Sequence, residues 1–190
     1  VLIFVLGVFG LSLYSRIQNN SMPFGNSTMV VIASGSMSER NNDIIKSHPE
    51  LTNQFDTYDI IGIEKYGSSS DVNLYDVVAY KNKKNVTIVH RIIEIRKDSE
   101  TGEDVYLTQG DSNLASDNVG SSQYSGYLTY DKIIGRYDGR RIRGLGIFVI
   151  FLQSPAGIVT VLSVVYCLFM FDHYSSKYKK AIVERTNMLV

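Results

Sequence analysis

A single cysteine, Cys167, stands in the whole chain, so no intrachain disulfide can form and no cysteine-based metal cluster can be built. An excess of charge of either sign is also absent: 19 basic residues are matched by 19 acidic ones, for a formal net charge of zero. That balance gives no support to nucleic-acid binding, which needs a basic face. The 3 prolines and 15 glycines are ordinary numbers for 190 residues, and neither a low-complexity tract nor an internal repeat is present. The length fits one domain.

Uncharged stretches bracket a polar middle. Val1 to Tyr14 carries no charge, and the first charged residue is Arg16. The stretch is shorter than the roughly 17 to 25 residues that span a bilayer, and it reads as the end of a transmembrane helix truncated at its N-terminus. A cleavable signal segment is the competing reading, weakened by the lack of a basic start and of a small-x-small site near Ser15. Gly144 to Phe171 is the second uncharged stretch, divided by Gln153-Ser154-Pro155. The part after Pro155 is long enough to span, whereas Leu145 to Leu152 is too short and is expected against the membrane surface or the domain. The expected organisation is therefore 1–15 membrane helix, 16–143 β-rich domain, 144–171 membrane-associated segment and helix, and 172–190 a basic, cytoplasmic tail. Lys177, Lys179, Lys180 and Arg185 favour that tail, but Arg140, Arg141 and Arg143 compete with them under the positive-inside rule.

The middle contains short branched runs separated by polar turns. They are Met29 to Ile32, Asp59 to Ile63, Asp76 to Tyr80, Thr87 to Ile95, Val105 to Thr108 and Lys132 to Gly135. No helical period of comparable strength lies between them. The expected class is mainly β, a coiled antiparallel β-sheet with membrane helices at its edges.

Three groups with complementary chemistry fall in order along this middle: Ser36 in Ser34-Gly35-Ser36-Met37, His90 in Val89-His90-Arg91, and Asp117 beyond Gly110-Asp111-Ser112-Asn113. A serine hydroxyl is a weak nucleophile at neutral pH and needs a neighbouring base and an oxyanion donor. Histidine suits the base role because its ordinary pKa, near 6.5, lies close to working pH. Strand alternation puts Ile88, His90 and Ile92 on one face and Val89, Arg91 and Ile93 on the other. A histidine between isoleucines is ordinarily a buried one bonded to a carbonyl; the ordered residues around it favour a base.

These boxes resemble those of type I signal peptidases of the branch found in the endoplasmic reticulum, archaea and some Gram-positive bacteria. Ser36-Met37 resembles the nucleophile box, and His90-Arg91 the box in which the typical bacterial branch has Lys before Arg. Gly110 to Asn113 resembles the Gly-Asp-Asn-Asn box, Asp117 falls where this branch carries its acid, and Gly135-Arg136 with Arg143-Gly144 resembles the closing segment. The resemblance implies the signal-peptidase/LexA-like coiled β fold, with Ser36 as nucleophile, His90 as general base and Asp117 fixing its tautomer. It also implies the Ser36 N–H and the Ser34 hydroxyl as oxyanion donors. Asp111 either shares the acid role or holds its loop. Met37, Val31 and Val78 are expected to shape the substrate site, with Met29 to Ile32 or Asp76 to Ala79 as the edge that pairs with an extended peptide.

The implied substrates are secretory preproteins with small-x-small cleavage sites. Membrane lipid and accessory membrane subunits are the further partners, nucleic acid is not one, and the site would face the extracytoplasmic or lumenal side. No metal or organic cofactor is implied. A calcium loop at Asp111, Asn113 and Asp117 fails because Ala115, Ser116 and Ser122 stand where an oxygen ligand, Gly and Glu are required. A catalytically silent, membrane-anchored β-domain that binds secreted or envelope proteins is the alternative from another class. The chain departs from the family pattern in three places. Ser38-Glu39-Arg40 replaces a Glu-Pro-Thr-like continuation, Arg40 to Tyr58 is a long link holding a loop histidine, His48, and Tyr75 stands where Gly is common, a change expected to be tolerated.

Overall fold

The computed structural model describes residues 2–18, 20–82, 84–99, 101–117 and 126–188. Val1, Ser122 and the last two residues of the expected tail lie outside them. The chain divides into two compact units, Ser15–Phe148 and Val1–Tyr14 with Val149–Val190.

The larger unit is mainly β. Its described strands are β1 (Ser21–Phe24), β2 (Ser27–Val31), β3 (Ile60–Glu64), β4 (Val77–Lys81), β5 (Thr87–Lys97), β6 (Asp104–Gln109), β7 (Leu128–Thr129) and β8 (Ile133–Ile142). They form one curled sheet in the order β1-β2-β3-β8-β4-β5-β6-β7, every pair antiparallel. The six branched runs read from the sequence correspond to β2, β3, β4, β5, β6 and the start of β8. The continuation of β8 through Arg136 to Ile142 is charged, and pairing with β3 rather than local propensity makes it a strand. Gly135 permits that pairing, because a Cβ there would stand 2.1 Å from the Glu64 carbonyl oxygen.

β4 sits between β8 and β5 and is buried on both faces. Val77 and Ala79 join one apolar cluster with Ile61, Ile63 and Val89, whereas Val78 and Tyr80 join another with Ile92 and Tyr106. Two-faced burial accounts for a continuous apolar run where one-faced strands alternate. Each fully buried branched side chain of this kind contributes about 1.5–3 kcal/mol.

The long link after the nucleophile box contains one short helix, α2 (Asp43–Ser47), which no periodicity announces. Its order is imposed by polar contacts. The Asn42 side chain caps it by accepting from the Ile45 N–H at 2.8 Å, and Arg40 donates to the carbonyls of Ile45, Leu51 and His48.

In the smaller unit, α4 (Pro155–Asn187) is the one described helix long and apolar enough to cross a membrane. It starts where the sequence places its break, with Ser154 accepting from the Gly157 N–H at 3.0 Å and Pro155 in the first turn. Helical structure continues through the charged residues expected to form the tail. α1 (Leu2–Ile17) is apolar and shorter, and α3 (Gly146–Gln153) precedes the break.

Candidate active site

Ser36 leaves the sheet on a short turn. Beyond β2 the chain is still tied to the β3 side, with the Ile32 N–H donating to the Asp59 carbonyl at 2.8 Å and the Tyr58 N–H to the Ile32 carbonyl at 2.8 Å. The turn then closes with the Ser38 N–H on the Gly35 carbonyl at 3.1 Å, and the Ser36 carbonyl accepts from the Ser112 N–H at 2.9 Å. The nucleophile box and the Gly110-to-Asn113 loop are thereby held together through their backbones.

His90 stands on β5 opposite Val78 of β4 and is 7% exposed. Its Nε2 lies 3.0 Å from Ser36 Oγ and its Nδ1 lies 2.6 Å from Asp117 Oδ2. With the Nδ1 proton directed at the carboxylate, Nε2 is the acceptor that faces the serine hydroxyl. Gly110 fills the space beside this pair. A Cβ at that position would stand 2.6 Å from the Ser36 carbonyl oxygen and 2.9 Å from His90 Nε2, which explains a glycine there in terms of clearance rather than flexibility.

Asp117 Oδ2 receives two further donors. Thr108 Oγ1 is at 2.7 Å and the Tyr80 hydroxyl at 3.0 Å, and the Asp117 N–H donates to the Thr108 carbonyl at 2.8 Å. Burial, followed by the nearby Asp117 charge, pushes the Tyr80 hydroxyl pKa well above its ordinary value, so the phenol remains protonated and able to donate. Neither Tyr80 nor Thr108 was singled out by the sequence. The available signal is strand phase: Tyr80 lies two residues along β4 from Val78, the cross-strand neighbour of His90, and Thr108 on β6 is opposite Ile92.

Asp111 is placed differently. It is fully buried and forms a two-point pair with Arg91, whose Nε donates to Oδ1 at 3.0 Å and whose terminal nitrogen donates to Oδ2 at 2.7 Å. Gln54 Nε2 also donates to Asp111 Oδ2, at 2.7 Å, and the Asp111 carbonyl accepts from the Asn41 N–H at 3.0 Å. Of the two roles open to it, loop holding matches these contacts. Neighbouring residues of β5 thus take one aspartate each, His90 with Asp117 and Arg91 with Asp111.

Ser34 Oγ lies 3.3 Å from Ser36 Oγ on an exposed stretch. An open groove of roughly 410 Å³ runs past both serines, lined by Val30 to Ser34 with Ser36 and Met37, and by Val86 to His90. Val31 and Met37 border it, but Val78 does not: it packs in the apolar cluster with Tyr80, Ile92 and Tyr106. The two edge segments read from the sequence also lie inside the sheet: β2 is paired with β1 and β3, and β4 with β8 and β5. The start of β5 is open along one edge instead: Thr87 to His90 pair with β4, but pairing with β6 on the other side begins only at Arg91, and no described strand covers that second edge of Thr87 to His90.

His48 takes part in a separate cluster, with Nδ1 2.9 Å from Glu50 and Nε2 3.1 Å from the Tyr75 hydroxyl. Tyr75 has φ +70°, a conformation that costs a residue with a Cβ about 1–2 kcal/mol and that glycine adopts freely. Tyr75 thus stands with backbone strain at a position where the resemblance leads one to expect Gly. Among the described residues no group of three or more His, Cys, Asp or Glu is disposed to hold a metal ion.

A hydroxyl, an imidazole and a carboxylate in this relation are the parts that a serine hydrolase uses, here carried by a curled antiparallel sheet. The chain is partly similar to the signal peptidase complex catalytic subunit SEC11 of Eremothecium gossypii, with 35% identity over 77 residues, 40% of this chain and 43% of that protein. The match therefore spans less than half of that relative's length. No family model matches the chain.

Proposed function

We propose that this protein is a membrane-bound serine endopeptidase that removes N-terminal signal peptides from secretory preproteins, cleaving after small-x-small sites. The observation that carries the reading is the continuous Ser36–His90–Asp117 arrangement, with contacts of 3.0 and 2.6 Å, at the side of an open groove. The partial similarity to a signal peptidase catalytic subunit supports the choice of substrate class.

In this mechanism an extended preprotein segment lies along the open edge of β5, where its backbone can add to the sheet. Ser36 Oγ attacks the scissile carbonyl carbon as His90 Nε2 takes its proton. Asp117 accepts from His90 Nδ1, which fixes the tautomer and stabilises the imidazolium. The Ser36 N–H and the Ser34 hydroxyl stabilise the oxyanion. The carbon–nitrogen bond then breaks, Nε2 returns the proton to the leaving amine, and water hydrolyses the Ser36 ester with His90 again as base. α4 supplies the membrane anchor, and the sheet unit faces the extracytoplasmic or lumenal side. Confinement to the membrane raises the effective concentration of membrane-borne substrates. Accessory membrane subunits are a further expectation, since the similar protein is named as a subunit of a complex.

The test is cleavage of a secretory preprotein by the detergent-solubilised protein, with the new N-terminus sequenced, beside Ser36→Ala and His90→Ala. Processing after a small-x-small site that both substitutions abolish is the expected result. Cleavage that survives Ser36→Ala would remove the proposed nucleophile.

A further inference from the structure

We propose that Tyr80 and Thr108 are positioning residues that clamp the Asp117 carboxylate and through it set the orientation of His90; the inference rests on the Ser-His-Asp reading above. Asp117 lies beyond the end of β6, in a loop, and its side chain is 21% exposed. A single contact to an imidazole leaves a carboxylate on such a loop free to rotate about its side-chain bonds. Thr108 removes much of that freedom at two points, its carbonyl accepting the Asp117 N–H at 2.8 Å and its hydroxyl donating to Oδ2 at 2.7 Å.

Tyr80 supplies the third hold at 3.0 Å, from a ring 3% exposed and packed in the apolar cluster of β4, β5 and β6. The Tyr80 and Thr108 oxygens are themselves 3.1 Å apart, so a Thr108 proton withdrawn from Asp117 still has an acceptor and the network has no vacant donor. Three adjacent strands contribute one group each: Tyr80 from β4, His90 from β5 and Thr108 from β6. The orientation of the base is thereby tied to the register of the sheet. Two neutral donors on the same oxygen as His90 also disperse the carboxylate charge.

Three variants of the full-length, detergent-solubilised protein test the proposal: Tyr80→Phe, the near-isosteric Thr108→Val and the hydroxyl-preserving Thr108→Ser. The readouts are kcat and KM on a preprotein, the low-field proton resonance of His90 Nδ1–H, and the thermal midpoint. A hydrogen bond to a charged group is worth enough to expect roughly a tenfold fall in kcat for Tyr80→Phe and for Thr108→Val, with KM within about twofold. The low-field resonance should shift or broaden in both variants, and Thr108→Ser should restore both the rate and the resonance. Thr108→Ser as impaired as Thr108→Val would show that the methyl packing matters rather than the hydroxyl, and would overturn the proposal. Unchanged kcat together with an unmoved resonance in Tyr80→Phe and Thr108→Val would overturn it as well. The resonance needs no turnover, so it decides the clamp even if the wild-type protein cleaves no preprotein, an outcome that would count against the peptidase reading alone.

Discussion

Exchanging each of the two aspartates for asparagine separates cohesion from chemistry. Asp111 is 0% and Arg91 1% exposed, so Asp111→Asn strands a guanidinium in the interior with its carboxylate partner gone. Removing one member of a buried pair costs about 3–5 kcal/mol, out of a total stability on the order of 5–15 kcal/mol for a domain. At roughly 3 °C per kcal/mol for a unit of this size, the thermal midpoint should fall by about 9–15 °C. Asp117→Asn should leave the midpoint within a few degrees, because the carboxylate is partly exposed and Thr108 still holds the backbone. Its cost falls on kcat, where the wrong imidazole tautomer is expected to take away about 10⁴-fold. The assay pairs a thermal melt with preprotein cleavage on the same samples. The double variant Arg91→Met with Asp111→Leu should recover a large part of the lost stability, since apolar replacement of a buried pair is often neutral. Asp111→Asn with an unshifted midpoint and abolished cleavage would refute this reasoning and move the acid role to Asp111.

Gly110→Ala should lower cleavage at least 100-fold while the protein still folds, because the new methyl group would occupy the clearance between the Ser36 carbonyl and His90 Nε2; near-normal turnover would show that the loop yields. At Tyr75, with φ +70°, Tyr75→Val should destabilise by about 2 kcal/mol or more in urea titrations, whereas Tyr75→Gly should change stability by less than about 1 kcal/mol as relieved strain offsets the lost His48 contact. Hydrogen bonds from the Arg140 side chain, with its backbone N–H in addition, hold the Asp138 carboxyl below its usual pKa. A lowered folded-state pKa gives stability that is present above the unfolded value, about 3.9, and is lost as pH falls through the folded one. The difference in thermal midpoint between wild type and Asp138→Asn should therefore be constant near pH 6 and shrink below about pH 4, and a difference that grows in acid would contradict the assignment.

The sheet was legible where a strand has its own apolar signature, as in Val77-Val78-Ala79-Tyr80, and illegible where pairing supplies the order. β1 contains Pro23, β7 is two residues long, and the far half of β8 is charged, so each depends on neighbours that no local pattern reveals. The residues of the candidate site were readable as an ordered set, and the structure brings Ser36, His90 and Asp117 together. Their supports were not readable, because Tyr80 and Thr108 approach Asp117 only through cross-strand register, including a bulge between Ile92 and Glu94. The placement of Val78 in the substrate site did not allow for a strand covered on both faces. The open edge was misplaced for the same reason: strand patterning identifies strands, not which of them lack a neighbour.

His90 and Arg91 are consecutive in β5 and point to opposite faces, each meeting its own aspartate. A one-residue slip in a strand exchanges its two faces. A misregistered β5 would turn Arg91 towards Asp117 and leave Ser36 without an imidazole, while Asp111 would lose its buried counter-ion. The dipeptide therefore couples the two pairings: the same slip that would part Arg91 from Asp111 would also part His90 from Ser36 and Asp117.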